Sequence, residues 1–273
     1  MARPKGISSL ATSVDTINML LVAESGWGKT VFCGTADQRD DPANRKKALF
    51  LVADPEGTVS AKYQGSTADQ LPVRDWDDLV QAYQWLRDEG YIEYSWIIID
   101  SITEMQKIAM KKALEIAVKM NASRDPDVPA IQDYQKVQNQ VLNMVKQFND
   151  LPCHVIYTAL PMRLEDDEGD VYYLPSLQGG GGQLAQQVMG YMSVAGYGAF
   201  KRAKKGDEEV TARRIYFQPT DMYRCKDRFD ALGAFKDNVT VPQIEKLILN
   251  KEAAGSKPVA KKKAPARRRA ANS

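Results

Sequence analysis

The chain has one histidine, His154, among 273 residues. That excludes metal centres built on histidine clusters, and its place beside an apolar run reads as structural. Three cysteines, Cys33, Cys153 and Cys225, are odd in number and far apart. They make neither a disulfide framework nor a zinc-ligand spacing, and a reducing cytoplasm suits them. No apolar run approaches the roughly 18 residues needed to cross a bilayer, so no membrane partner is expected. The opening residues, MARPKGISSLATS, lack the apolar core of a secretory signal. Internal repeats are absent as well. What is present is a globular composition, 44% hydrophobic and 26% charged. The length is enough for one large α/β domain.

Charge is unevenly spread. Residues 251–273 hold eight basic residues (Lys251, Lys257, Lys261, Lys262, Lys263, Arg267, Arg268, Arg269) against Glu252 alone, a net +7. The whole chain is only +2, so residues 1–250 carry −5. The tail is rich in Ala, Lys, Arg and Pro, shows no apolar periodicity and reads as disordered. It is either a sequence-blind arm for nucleic-acid phosphates or a solubilising appendage, and the arm is the favoured reading.

Between residues 17 and 160, strands alternate with helices. The apolar runs 17–22, 48–53, 96–100 and 153–159 suit buried parallel strands. Helices are predicted over about 29–36, 76–87, 101–120 and 131–149. Ser101 is an N-cap, with Glu104 completing a capping box, and Arg124 to Pro129 breaks the chain. This order argues an α/β domain whose mostly parallel sheet is covered on both faces. The later part is β-rich. A hairpin joins 162–164 to 171–174 through the acidic tip 165–170. A mobile loop follows at Gly179–Gly182. Two β runs, 191–197 and 213–218, flank a charged connector at 201–209. A helix over about 242–249 closes the folded part. The division is a short arm (1–16), an α/β domain (17–250) and the basic tail (251–273).

The strand 17–22 runs into Ala23-Glu24-Ser25-Gly26-Trp27-Gly28-Lys29-Thr30, with Val31 after it. This is the sequence form of a phosphate-binding loop. Gly26 and Gly28 let the backbone wrap an anion with its N–H groups turned inward. A helix starting near Gly28 adds its positive dipole end. Lys29 reaches the β- and γ-phosphates, and the Thr30 hydroxyl ligates Mg²⁺. The usual first glycine is Ala23 here. The second element is Trp96-Ile97-Ile98-Ile99-Asp100, an apolar strand that sets a carboxylate at its C-terminal end, beside the loop, for Mg²⁺. Hydrolysis also needs a carboxylate to orient water. Ser101 occupies one common position for it. Glu56, just after strand 48–53, occupies the other and is assigned as the base, with Glu104 as the fallback.

The segments AESGWGKT, LFLVADPEG, WIIIDSITE, HVIYTAL, LQGGGGQL and RCKDRF, in this order over about residues 17–230, resemble the RecA superfamily of P-loop ATPases. They are most similar to the short RecA-like recombination and annealing ATPases of bacteriophages. The resemblance implies a RecA-like core with ATP and Mg²⁺ as cofactors and Glu56 as base. It implies a polar sensor at Thr158, where RecA itself has Gln nearby. It places a DNA-binding loop at Arg163 to Gly182, including Gly179, Gly180, Gly181 and Gly182. Lys226 and Arg228, facing the same way two residues apart, would reach the γ-phosphate held by a neighbouring subunit, as arginine fingers do. The implied protein is a DNA-stimulated ATPase of recombination or single-strand annealing, a ring or filament of identical subunits. Its partners would be single-stranded DNA and a single-strand-binding protein, in the cytoplasm of a bacterial host. Tyr172 and Tyr173 are candidates for base stacking, or simply for hairpin packing. Lys261, Lys262, Lys263, Arg267, Arg268 and Arg269 would add phosphate contacts. The short segment before residue 17 shows no polymerisation domain. A helicase-like or packaging motor and a nucleotide-gated scaffold without turnover are the alternatives.

Overall fold

A computed structural model of the chain describes residues 16–38, 46–53, 55–205 and 208–253. Its spine is β1 (Asn18–Ala23), β2 (Lys47–Val52), β3 (Asp69–Pro72), β4 (Tyr94–Asp100), β5 (His154–Ala159) and β8 (Val194–Lys205). The antiparallel strands β9 (Glu208–Tyr216), β10 (Lys226–Asp227) and β11 (Phe235–Asp237) complete a nine-stranded sheet. Its order is β11-β9-β8-β1-β5-β4-β2-β3, with β10 added to β8. The neighbours from β8 through β1, β5, β4 and β2 to β3 are all parallel. The expected mostly parallel sheet with a β-rich C-terminal part is therefore what the chain builds.

Strand alternation sorts the core into two layers. Leu20, Val22, Leu49, Leu51, Ile97, Ile99, Val155 and Tyr157 face one side. There they pack under α3 (Trp76–Asp88), α4 (Ile102–Met120), α5 (Ile131–Asn149) and α6 (Gln183–Tyr191). Met19, Leu21, Phe50, Trp96, Ile98 and Ile156 face the other side, with α1 (Lys29–Cys33) and α7 (Val241–Ala253), and the short α2 (Val59–Tyr63) lies between β2 and β3 in the chain. Burial on both faces is why these strands read as unbroken apolar runs. Helix spacing follows the same logic: Leu79, Ala82 and Leu86 of α3 are buried at one-turn intervals. Among the described residues no helix is long and apolar enough to cross a membrane.

His154 is structural, as expected. Its ring lies 4.6 Å from that of Trp96, and its Nδ1 accepts from the Ile17 amide at 2.9 Å. An accepting Nδ1 places the proton on Nε2, toward Glu245. The cysteines are buried and unbridged. Burial pushes the Cys153 and Cys225 thiols up to about 12.

Four expectations need correction. The charged stretch 201–209 is not a connector, because β8 and β9 run through most of it as one long hairpin. Lys201 and Arg202 are exposed. Two strands leaving the layered core need no apolar face, so the pattern there carries no strand signal. The glycine run is not a free loop. Gly180–Gly182 form a 3-10 turn that enters α6. Gln178 is tied to α4 by two 2.7 Å bonds with Gln106. A Cβ on Gly182 would lie 2.9 Å from Leu164 and Leu174 of the hairpin β6 (Pro161–Glu165) and β7 (Val171–Pro175). Ser101 does cap α4, accepting from the Glu104 amide, but the Glu104 carboxylate pairs with Lys107 at 2.8 Å and so does not return to the cap. Finally, α7 runs to Ala253, three residues into the segment read as tail.

Candidate nucleotide site

The phosphate loop leaves the C-terminal end of β1 and enters α1. Ala23 is fully buried as the last residue of β1, between β5 and β8. At this position the chain is still extended strand, which any residue adopts, so the missing glycine costs the loop no special backbone conformation. Glu24, Ser25 and Gly26 form the exposed crest. Gly26 and Gly28 have φ of 80° and 102°, a region that favours glycine. The Arg213 side chain also lies close to Gly28, its Nε 3.1 Å from where a Cβ would stand.

Trp27 anchors the crest. Its side chain is buried and meets Phe32 edge-on, with ring centroids 6.4 Å apart. It fills the space where a Cβ on Gly198 of β8 would lie, 2.7 Å from the indole. Gly198→Ala is therefore expected to destabilise the fold by about 1–3 kcal/mol, the usual cost of overpacking, because a buried indole between β8 and α1 cannot swing away. Chemical unfolding checks this, and a change below about 0.5 kcal/mol would show that the ring is loosely held.

Lys29 is half-buried, and its ammonium donates to the Ala23 carbonyl at 2.7 Å and the Glu24 carbonyl at 3.1 Å. The side chain thus lies across the loop. Desolvation lowers its pKa, opposed chiefly by the charge of Asp100. Thr30 and Val31 occupy the first turn of α1. The Thr30 hydroxyl donates to Asp100 Oδ2 at 2.7 Å, and the buried Thr158 hydroxyl donates to Asp100 Oδ1 at 2.5 Å. Asp100 lies beside the loop, as expected, although β5 stands between its strand β4 and β1. Parallel register nonetheless brings the ends of three strands together: Leu21 opposite Thr158, and Ile99 opposite Tyr157. Lys29, Thr30, Asp100 and Thr158 are thereby gathered at one point of the sheet's C-terminal edge.

Glu56 is placed by its backbone alone, and the basic pair Lys226 and Arg228 lies away from this point. The backbone of Glu56 sits in the 3-10 turn Pro55–Thr58 after β2, whose Val52 pairs with Asp100. That puts the turn at the same C-terminal edge of the sheet as Asp100, while the Glu56 side chain is outside the described residues. Lys226 and Arg228 do project together, onto the end of α6. Lys226 donates to the Met189 and Gly190 carbonyls, and Arg228 to Gly190 at 2.7 Å. Within the chain this is a cationic helix C-cap. Burial and the neighbouring Arg228 hold the Lys226 ammonium below its usual pKa. Lys226 is level with Ala195, which pairs with Leu20 in β1. Ala23 is three steps on from Leu20, about 10 Å along the strand, so the pair stands apart from its own phosphate loop.

Arg163 is exposed on β6, 3.5 Å from Glu165. Tyr173 is committed to an aromatic cluster with Tyr197 and Tyr223, the last two stacked at 4.0 Å. Tyr172 lies under the Arg224 guanidinium, 4.9 Å from the ring. Lys261, Lys262, Lys263, Arg267, Arg268 and Arg269 are outside the described residues. Among the described residues no group of three His, Cys, Asp or Glu side chains is placed to hold a metal. Any cation at this site would depend on Thr30, Asp100 and the phosphates themselves.

Sequence reasoning missed Arg213, whose Nε donates to the Trp27 carbonyl at 2.8 Å across 186 residues. Gly198 signalled a different close approach on the same side, that of the Trp27 indole to β8. Glycines inside a strand often mark a place where another group comes near.

Among curated proteins, none matches the chain. Among solved structures 288 chains do. One is the flagellar accessory protein FlaH from Methanocaldococcus jannaschii, at 12% identity over 73% of this chain and 77% of that one, with a TM-score of 0.36. A likeness that distant carries nothing about activity. The family match is broader: the AAA domain family, AAA_24, covers residues 15–229, from just before β1 to just past β10. With the phosphate loop, its lysine and the Thr30–Asp100 pair inside that span, the chain belongs to the AAA domain family.

Proposed function

We propose that this protein is a Mg²⁺-dependent ATPase that acts on single-stranded DNA, in recombination or strand annealing, with ATP taken at the interfaces of a homo-oligomer. The observation that carries the ATPase half is the convergence of Lys29, Thr30, Asp100 and Thr158 on one edge of the sheet. The donor set fits the group it would hold. Hydroxyl and carboxylate oxygens are the hard ligands that Mg²⁺ prefers, and the glycine-lined turn leaves the backbone open to phosphate. Thr30 and Asp100 would hold the ion, directly or through water. Bound Mg²⁺ would neutralise charge on the phosphates. Lys29 binds and orients the phosphate chain. Glu56 is the proposed base that takes a proton from the attacking water, and Thr158 fixes the carboxylate of Asp100. Lys226 and Arg228 are proposed to serve a neighbouring subunit's ATP, which requires them to leave the end of α6.

The DNA half is supported by charge and by the RecA-like resemblance. Residues 254–273 hold seven Lys or Arg and no acid. Such an arm binds phosphates with little regard to base sequence. Deleting 254–273 is therefore expected to weaken single-stranded DNA binding similarly for different sequences. It should also flatten the fall of affinity with salt, because fewer counterions are released, while basal ATP turnover continues. Titrations of labelled DNA at several salt concentrations test this. Identical affinities and slopes for the two proteins would leave the tail as a solubilising segment only. Annealing of complementary labelled strands, absent unwinding of a duplex, separates the proposed function from a motor.

A further inference from the structure

Arg213 lies on β9, outside every motif that points to nucleotide binding. It is exposed, yet held at three points. Its Nε donates to the Trp27 carbonyl at 2.8 Å. Its backbone amide donates to Asn238 Oδ1 at 2.9 Å, and its carbonyl accepts from the Asn238 amide at 2.8 Å. Asn238 has φ of 50°, a left-handed conformation that asparagine accepts better than most residues. This reciprocal pair fixes the Arg213 backbone, and the side chain then reaches the phosphate loop. There it packs against Gly28, its Nε 3.1 Å from where a Cβ would stand.

The planar trans peptide makes the consequence specific. In such a unit the C=O and the following N–H point in opposite directions. The Trp27 carbonyl is drawn toward Arg213, so the Gly28 N–H is turned the other way. A glycine peptide rotates easily, and the Trp27–Gly28 unit is the link between the loop's crest and α1. We propose that Arg213 is a positioning residue for nucleotide binding: it braces the phosphate loop from outside, in the same chain, by fixing the Trp27–Gly28 peptide, and its guanidinium adds positive charge beside the loop. The Asn238 turn is the support that sets it in place. Arg202, also exposed and two ladder positions beyond Arg213's cross-strand partner Phe200, shares this face of the hairpin without reaching the loop.

This inference rests on the reading of the loop as the ATP site. Binding of a fluorescent ATP analogue should be measured for the full chain, Arg213→Ala, Arg213→Lys and Arg202→Ala, with steady-state ATP turnover and thermal unfolding without nucleotide. Arg213→Ala is expected to raise Kd and KM about ten-fold, equivalent to about 1.4 kcal/mol, with kcat changed less than two-fold. That split is the mark of lost ground-state binding. Arg213→Lys should recover part of the loss, since an ammonium can still donate to the Trp27 carbonyl. Arg202→Ala should bind like the parent chain. Unfolding temperatures should stay together, because Arg213 is exposed. Unchanged Kd in Arg213→Ala overturns the brace while leaving the ATP site standing. So does an equal loss in Arg202→Ala, which would be a general charge effect, or a loss that accompanies lower unfolding temperature. A parent chain that does not bind the analogue overturns both the brace and the ATP site.

Discussion

Replacing Lys29 by alanine is expected to weaken ATP binding by roughly 30-fold to several-thousand-fold, the equivalent of about 2–5 kcal/mol for truncating a desolvated charged partner. The ammonium is half-buried and lies over the loop on the Ala23 and Glu24 carbonyls. A bound triphosphate offers it far stronger partners than two carbonyl oxygens. The fold should survive, because the side chain holds no packing position in either layer of the core. Titration of a fluorescent ATP analogue, with unfolding of the nucleotide-free protein as control, checks both halves. Binding within three-fold of the parent would remove Lys29 from the phosphate site.

Glu56→Gln is expected to keep ATP affinity and lose turnover by about 10²–10⁴-fold, the range for a missing general base. The amide keeps the shape of the side chain and removes its basicity. Glu104→Gln is the matched comparison. Glu104 lies in the first turn of α4 and pairs with Lys107 at a partly exposed site, so its loss should change turnover less than three-fold. Crippled turnover in Glu104→Gln and normal turnover in Glu56→Gln would reverse the assignment. The same two variants separate catalysis from binding when ATP affinity and turnover are measured side by side.

Features encoded locally were legible before the structure. The runs ending at Val22, Ala53, Asp100 and Ala159 read as buried strands because both faces of this sheet are covered. Ser101 and the loop Ala23–Thr30 carry their meaning in adjacent residues, and both sit where the spacing put them. What was not legible depends on distant partners. The glycine run 179–182 resembles a mobile loop until Gln106 of α4 and Leu164 and Leu174 of the hairpin are brought against it. The strands through 201–205 and 208–210 carry charge because they extend past the layered core, where no apolar alternation is imposed. Lys226 and Arg228 share a direction, as the two-residue period requires, but nothing in RCKDRF reveals that α6 ends beneath them. Arg213 and Asn238 had no sequence signal of their own. Their role exists only because β9 and β8 lie beside the strand that carries the phosphate loop.

Two polar side chains fix the segment that follows the phosphate loop. Asp37, buried at the end of the α1 segment, accepts from both the amide and the hydroxyl of Thr67, each at 2.7 Å. Thr35 accepts from the Val241 amide at 2.9 Å and so ties α7 to the same segment. The helix behind the phosphate loop is therefore pinned from two sides. That rigidity suits a site whose donors must be in place before the ligand arrives.

We propose that ATP hydrolysis by this chain responds to single-stranded DNA. The most direct test is the steady-state rate of ATP hydrolysis by the full chain with Mg²⁺, at one fixed salt concentration. It should be measured without DNA, with single-stranded DNA of mixed sequence, and with duplex DNA of equal nucleotide content. The expected result is a rate raised several-fold by the single strand and much less by the duplex, and abolished in Lys29→Ala under all three conditions. Equal rates in all three conditions would contradict the claim and leave an ATPase whose partner is not DNA.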